Sequence, residues 1–194
     1  MVTLQEIKQN ESIRVLIKAG NRYLDSMGYT EHGPRHVGYV SKTASHLLRE
    51  LGYSDREIEL AAIAGWVHDV GNSVNRHDHG PLGAVLLLPI LREAGMEMAD
   101  IMEVITAVGN HEEQSGFISS AVSAALAIAD KADAHKSRVR VGGFDPTGGT
   151  LAALAEYAAP AREQPIAVLP FSSRRKKSAA SFRDGTTLIL GAPS

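Results

Sequence analysis

The chain of 194 residues has no cysteine. That excludes disulfides and thiolate metal centres, so nitrogen and oxygen are the only donors a bound metal could use. No apolar run approaches the roughly 20 residues that a bilayer-spanning helix needs. The polar start, Met1 to Asn10, also lacks the apolar stretch of a secretory signal, and the expectation is a cytoplasmic protein. A strong excess of one charge is missing too: 20 basic and 22 acidic residues give a formal net charge of -2. Residues 1–140 carry 14 basic and 18 acidic side chains, and residues 141–194 carry 6 and 4. A mildly acidic main body argues against broad binding of nucleic acid by phosphate neutralisation. Internal repeats are absent. The length and the 44% hydrophobic content suffice for one domain with a real core and fall short of two full ones.

Histidine is what the chain does have. There are eight: His32, His36, His46, His68, His77, His79, His111 and His135. The stretch Trp66-Val67-His68-Asp69-Val70-Gly71-Asn72 sets an imidazole and a carboxylate side by side at the end of an apolar segment that begins near Ile58. A carboxylate in such a run is rarely buried unless it is paired or holds a metal.

Local patterns predict an all-α chain. Thr3 with Glu6 matches a capping box, and apolar residues at helical spacing follow as far as Gly28, enough for one or two helices. A helix opening at His36 presents Val37, Val40, Ala44, Leu47, Leu48 and Leu51, and Gly52 stops it. Ser54 with Glu57 starts the helix that delivers His68 and Asp69. After a loop from Gly71 to Gly80, Pro81 to Leu91 reads as a helix that Pro89 bends or shortens. Met98 to Val108 is helical and runs into Gly109-Asn110-His111-Glu112-Glu113. Ser119 to His135 is an alanine-rich helix whose one inward carboxylate is Asp130.

The order His36, His68-Asp69, His79, His111, Asp130, together with WVHDVGN, HGPLGA, GNHEE and AIADKADAHKSRVR, resembles the HD superfamily of metal-dependent phosphohydrolases over about residues 30–140. The resemblance implies an HD-domain helical bundle of about six or seven helices, residues 1–140; composition marks residues 141–194 as an irregular C-terminal extension. It implies one or two divalent ions, with Mn, Fe, Co, Ni, Zn and Mg all compatible with such ligands. His36, His68, Asp69 and Asp130 would hold the first ion, and His79 and His111 would complete a second, with Asp69 able to bridge. Two such ions about 3.5–4 Å apart can bind a phosphate between them and activate a water. Catalytic roles then fall to Asp69, Lys131 and Glu112. Arg35, Asn72, His77, Lys131 and Arg138 become the candidates for substrate contact. The implied partner is a small phosphorylated substrate, a nucleotide among the candidates, and a homodimer is compatible with the pattern. The HD-GYP branch usually has Lys where Asn72 stands and a Gly-Tyr-Pro where this chain has Gln114-Ser115-Gly116-Phe117. The resemblance is therefore to the broader superfamily rather than to cyclic dinucleotide hydrolases. Two other readings stay open: a regulatory module that keeps the site for ligand binding, and an HD-type di-iron oxygenase.

From Val141 the composition changes: Gly, Pro, Ala and Ser become frequent, histidine disappears, and helical spacing persists only over Thr150 to Ala159. Arg174-Arg175-Lys176-Lys177 reads as a solvated basic run. Asp184-Gly185, between Phe182 and the Thr186–Leu190 run, suggests a small hairpin. A shift of reading frame would produce such a break. Translating the coding DNA in its other frames beyond Val141 tests the idea; the expected result is a frame that restores helical patterning, and its absence from both sinks the idea.

Overall fold

The computed structural model describes residues 1–112, 116–134 and 138, together with the backbone of 167–172, 177–181 and 187–191. It divides into two compact units, Met1–Val139 and Arg140–Ser194. Among the described residues seven α-helices build the first: α1 (Leu4–Gln9), α2 (Glu11–Ser26), α3 (Pro34–Glu50), α4 (Asp55–Val67), α5 (His79–Glu93), α6 (Met98–Gly109) and α7 (Ala121–Lys131). A 3-10 turn, Val70–Ser73, lies between α4 and α5.

Both predicted capping boxes are present, Thr3 with Glu6 on α1 and Ser54 with Glu57 on α4. Pro34 opens α3, where a missing N–H costs nothing. Gly52, with φ at +77°, follows its end in the left-handed conformation that favours glycine. Pro89 does not shorten α5, which continues to Glu93. The proline lies on the exposed side of the helix, while Leu87 and Leu91 on either side are fully buried and hold it to the core. The alanine-rich helix α7 is shorter than its pattern, starting after the N-cap Ser120 and ending at Lys131.

The centre of the first unit is α4. Ile58, Leu60, Ala61, Ala62, Ile63, Ala64, Gly65 and Val67 are all buried, so this helix is covered nearly all round and needs no polar face. Two glycines let the neighbours come close. A Cβ on Gly65 would stand 2.7 Å from the Cα and N of Ser41, so α3 crosses α4 there almost backbone to backbone. A Cβ on Gly71 would lie 1.9 Å from the carbonyl oxygen of His79 and 2.6 Å from the N of Gly83. The 3-10 turn that follows Asp69 is thereby pressed against the first turn of α5.

The second unit departs from the irregular extension expected. Strands β1 (Ala167–Ser172), β2 (Lys177–Ser181) and β3 (Thr187–Gly191) form an antiparallel sheet in the order β1-β2-β3. The suggested hairpin pairs β2 with β3, Ala179 opposite Ile189, and β1 adds to it with Val168 opposite Ala180. Segments of five or six residues carry too little alternation to separate strand from loop by periodicity. The all-α description therefore holds for the first unit. Thr150–Ala159, Arg174–Lys176 and Asp184–Gly185 lie outside the described residues.

Gly71→Ala should cost at least about 3 kcal/mol, the upper end for overpacking, because the obstacle is backbone rather than a flexible side chain. A urea unfolding midpoint unchanged from that of the parent protein would show that the turn can yield.

Candidate metal centre

Three helix ends and two helix starts converge on a single cluster. His36 occupies the third position of α3, His68 caps the C-terminus of α4, and Asp69 precedes the 3-10 turn. His79 begins α5, His111 follows the end of α6, and Asp130 is the next-to-last residue of α7. All four histidines are buried, as is Asp69, and the Asp130 side chain is 13% exposed. Three overlapping groups have one ligand atom per residue, all within 4.8 Å of one another: His36, His68 and Asp130; His68, Asp69 and His111; His79, His111 and Glu112.

The histidines share one hydrogen-bonding arrangement. His68 Nδ1 is 3.0 Å from the Gly65 carbonyl, His79 Nδ1 is 3.1 Å from that of Arg76, and His111 Nδ1 is 2.6 Å from that of Val108. His36 Nδ1 is 2.7 Å from Asp133 Oδ2. An oxygen acceptor on every Nδ1 assigns the proton there and leaves the Nε2 lone pairs facing inward, the tautomer a metal ligand needs. His36 Nε2 stands 3.3 Å from Asp130 Oδ1 and 3.6 Å from Asp69 Oδ2, and His68 Nε2 stands 3.6 Å and 3.4 Å from the same two atoms. His36 Nε2, His68 Nε2 and Asp69 Oδ2 are buried without any hydrogen-bond partner. Buried polar atoms are seldom left so, and three of them turned toward one another fit a cation of divalent type. The two oxygens of Asp69 face different histidines: Oδ2 lies toward His36 and His68, while Oδ1 is 3.4 Å from His79 Nε2. Asn72, buried, donates to Asp69 Oδ1 at 2.7 Å.

Electrostatics reinforce the pattern. Burial alone would lower the His68 pKa, but the Asp69 and Asp130 carboxylates outweigh it and raise it to about 9. For Asp69 and Asp130 burial acts upward, and the surrounding imidazoles overcome it and hold both below the usual carboxylate range. Burial lowers His79 to about 4, against the opposing pull of Asp69, and lowers His111 as well. His32 is likewise lowered to about 4, chiefly by burial.

The other predicted site residues are placed as follows. Lys131 donates from Nζ to Asp130 Oδ2 at 3.0 Å and keeps 40% of its side chain exposed. Glu112 Oε1 is 3.2 Å from His79 Nε2. His77 lies on the exposed side of the α5-leading loop. Arg35 and Arg138 do not aim at the cluster. Arg35 grips Asp133 with two nitrogens, at 3.2 and 2.5 Å, and Glu31 with Nε at 3.1 Å. Arg138 donates to the Asp133 and Glu31 carbonyls, at 3.1 and 3.3 Å, and meets His32 Nε2 at 3.0 Å. Their contacts give them the task of holding Asp133, which in turn holds His36. Two residues had not been singled out from the sequence, Asp133 and Arg76. Asp133 stands three residues after Asp130, a spacing that was legible. Arg76 sits in a polar loop and carries no such signal.

The HD domain model matches residues 35–135, which is just over half of the chain and contains every residue of the cluster. The chain belongs to the HD domain family. The HD superfamily is generally of metal-dependent hydrolase type, and the clustered imidazoles and carboxylates are of the kind that could hold a divalent ion. The chain is also similar to the uncharacterized protein MJ1020 of Methanocaldococcus jannaschii, 26% identical over 161 aligned positions that cover 70% of this chain and 61% of that protein. It thus spans less than two thirds of that relative's length. No solved structure matches. Among the described residues no helix is long and apolar enough to cross a membrane.

The pKa shifts set the stability of the metal-free HD domain against pH. His68, raised to about 9, contributes stability that is complete below about 6.5 and is lost as pH rises through 9. His32, His79 and His111, all lowered, contribute stability that is present above about 6.5 and lost as pH falls toward their folded values. Asp69 and Asp130 add a further loss below about pH 4. Melting temperature in chelator is therefore expected to peak near neutrality, and His68→Gln should flatten the decline between pH 7 and 9. A slope that survives this substitution would assign the decline to another group.

Proposed function

We propose that this HD domain is a metal-dependent phosphohydrolase acting on a small phosphate mono- or diester, such as a nucleotide. The reading is supported chiefly by the four Nε2 lone pairs and two carboxylates that face one another in a buried cluster, three of those atoms lacking any partner. His36, His68, Asp69 and Asp130 are the residues to hold a first ion, with His79, His111 and Glu112 beside it for a second. A bound divalent ion supplies Lewis acidity toward a phosphate oxygen and toward the attacking water.

The protein's own groups then have distinct tasks. Asp69, held by Asn72, faces both histidine pairs and would be the ligand common to both sets. Lys131, anchored on Asp130 yet 40% exposed, is the cation suited to a phosphate oxygen. With only the first ion bound, Glu112, 31% exposed beside His79, is the carboxylate suited to moving a proton at the edge of the cluster. Asn72 orients Asp69 instead of touching substrate, and His77, exposed on the loop before α5, is the candidate for substrate contact there.

His68→Ala and Asp69→Ala should each abolish metal retention, read by elemental analysis of protein purified without a histidine tag. Each should also lower hydrolysis of a generic aryl phosphate with Mn or Ni by at least about 1000-fold, as removal of a metal-holding residue does to the electrostatic stabilisation it supports. Unchanged metal content in both variants would contradict the ligand assignment. A metal-loaded parent protein inert to a broad panel of phosphate esters would contradict the reaction.

A further inference from the structure

The ligand groups differ in the company they keep. Around His36 and His68, the two Nε2 atoms and Asp69 Oδ2 have no hydrogen-bond partner. In the set formed by His79, His111 and Glu112, a cation is already present. Arg76 Nη1 lies 3.1 Å from His79 Nε2, 2.9 Å from His79 Nδ1 and 3.5 Å from Glu112 Oε1. The guanidinium carbon stands 5.6 Å from the centre of the Tyr29 ring, and the side chain is 22% exposed.

The acceptors around Arg76 explain why a cation belongs there. His111 gives its Nδ1 proton to the Val108 carbonyl, and with His79 in the same tautomer, Nδ1 toward the Arg76 carbonyl, the two bare Nε2 atoms face each other at 3.1 Å. Glu112 Oε1 adds a third acceptor 3.2 Å from His79 Nε2. Three converging lone-pair donors repel one another unless positive charge is placed among them. Guanidinium stays charged at any pH the protein meets, so Arg76 supplies that charge permanently. A divalent ion bound by His79 and Glu112 would have to share the same two ligands with this charge, and like charges at such separation repel strongly.

We infer that Arg76 is the resident cation of the outer ligand set and competes with a second divalent ion for His79 and Glu112. The protein then takes one ion firmly, where His36 Nε2, His68 Nε2 and Asp69 Oδ2 have no partner and Lys131 sits on the far oxygen of Asp130, and a second only by displacing the guanidinium. This rests on the proposed reading of the cluster as a divalent-metal site, and it adds a built-in control of how many ions the site holds.

The test is a Mn(II) titration of the full chain at pH 7.5, with free ion measured by electron paramagnetic resonance and bound ion by elemental analysis. The variants are Arg76→Gln, which is neutral and of similar reach, and Arg76→Lys, which keeps the charge. Circular dichroism melting checks that each is folded; the position is a partly exposed loop, and the lysine variant provides a second reading if one fails. The parent protein should bind one ion at least about tenfold more tightly than a second, as expected for a cation that must be moved aside. Arg76→Gln should tighten the second ion by about tenfold or more and bring out the spin-coupled signal of two neighbouring Mn(II) ions. Arg76→Lys should behave as the parent does. Equal stepwise affinities for parent and Arg76→Gln, or a weakened second ion in Arg76→Gln, would overturn the inference while leaving the metal site intact. No bound ion in any of the three would overturn the metal reading itself, and the inference with it.

Discussion

Everything in this fold answers to one requirement: four imidazoles must be buried side by side, each with the same nitrogen turned inward. A buried imidazole N–H without an acceptor costs about 1–3 kcal/mol, so each proton must be given an oxygen. Three of the four find it three residues back along the chain, His68 at Gly65, His79 at Arg76 and His111 at Val108. Gly65 and Val108 lie in the last turns of α4 and α6, where carbonyls have no partner within the helix. A histidine just past a helix C-terminus thus has its tautomer fixed by the helix it ends. His36 cannot do this, because it opens a helix and the Gly33 carbonyl three residues back already accepts from Val37 N. Its proton goes instead to Asp133, 97 residues away, which is why Asp133 is braced by Arg35 and Arg138.

Bringing those ends together is a packing problem, and small residues solve it. Burying α4 on nearly every side demands alanines and glycine where its neighbours cross, and the contact of Gly65 with Ser41 fixes how closely α3 can lie. That approach brings His36 and His68 to ring centroids 5.2 Å apart. The contact of Gly71 with His79 does the same for the next pair of elements. His68 and His111, and then His79 and His111, follow with centroids 5.1 and 4.9 Å apart. The four rings form an edge-to-face chain whose spacing is set by backbone contacts.

What could be read in advance follows the same division between local and distant causes. Capping boxes, the stop at Gly52 and the inward position of His68 and Asp69 all depend on residues a few places apart, and the sequence displays them. The union of His36, His68, Asp69, His79, His111 and Asp130 rests on long-range packing, and it was legible only through the order of motifs. Asp133 escaped notice because its importance lies in contacts with Arg35, His36 and Arg138, none adjacent to it in sequence. The same contacts turn Arg35 and Arg138 away from a substrate role: a guanidinium committed to a buried carboxylate has no fork left to offer. The short strands between Ala167 and Gly191 escaped notice for a different reason, since pairing rather than composition makes them.

The charges around the cluster also favour one sequence of events over another. Once His68 gives up the proton that its pKa of about 9 keeps near neutrality, as a metal ligand must, Asp69, Asp130 and Glu112 are offset by Lys131 and Arg76, which leaves one net negative charge beside four imidazoles. Asp133 and Glu31 are balanced separately by Arg35 and Arg138 and add nothing to that field. A site of that sign draws in a divalent cation and repels a phosphate ester. After one divalent ion the balance is positive, and an anion is then attracted. Asn72 fits this scheme better than a lysine would. It orients Asp69 through a 2.7 Å hydrogen bond from a neutral amide, where an ammonium would cancel the residual negative charge that recruits the first ion. Cation first and anion second is therefore the order that these residues impose on the proposed reaction.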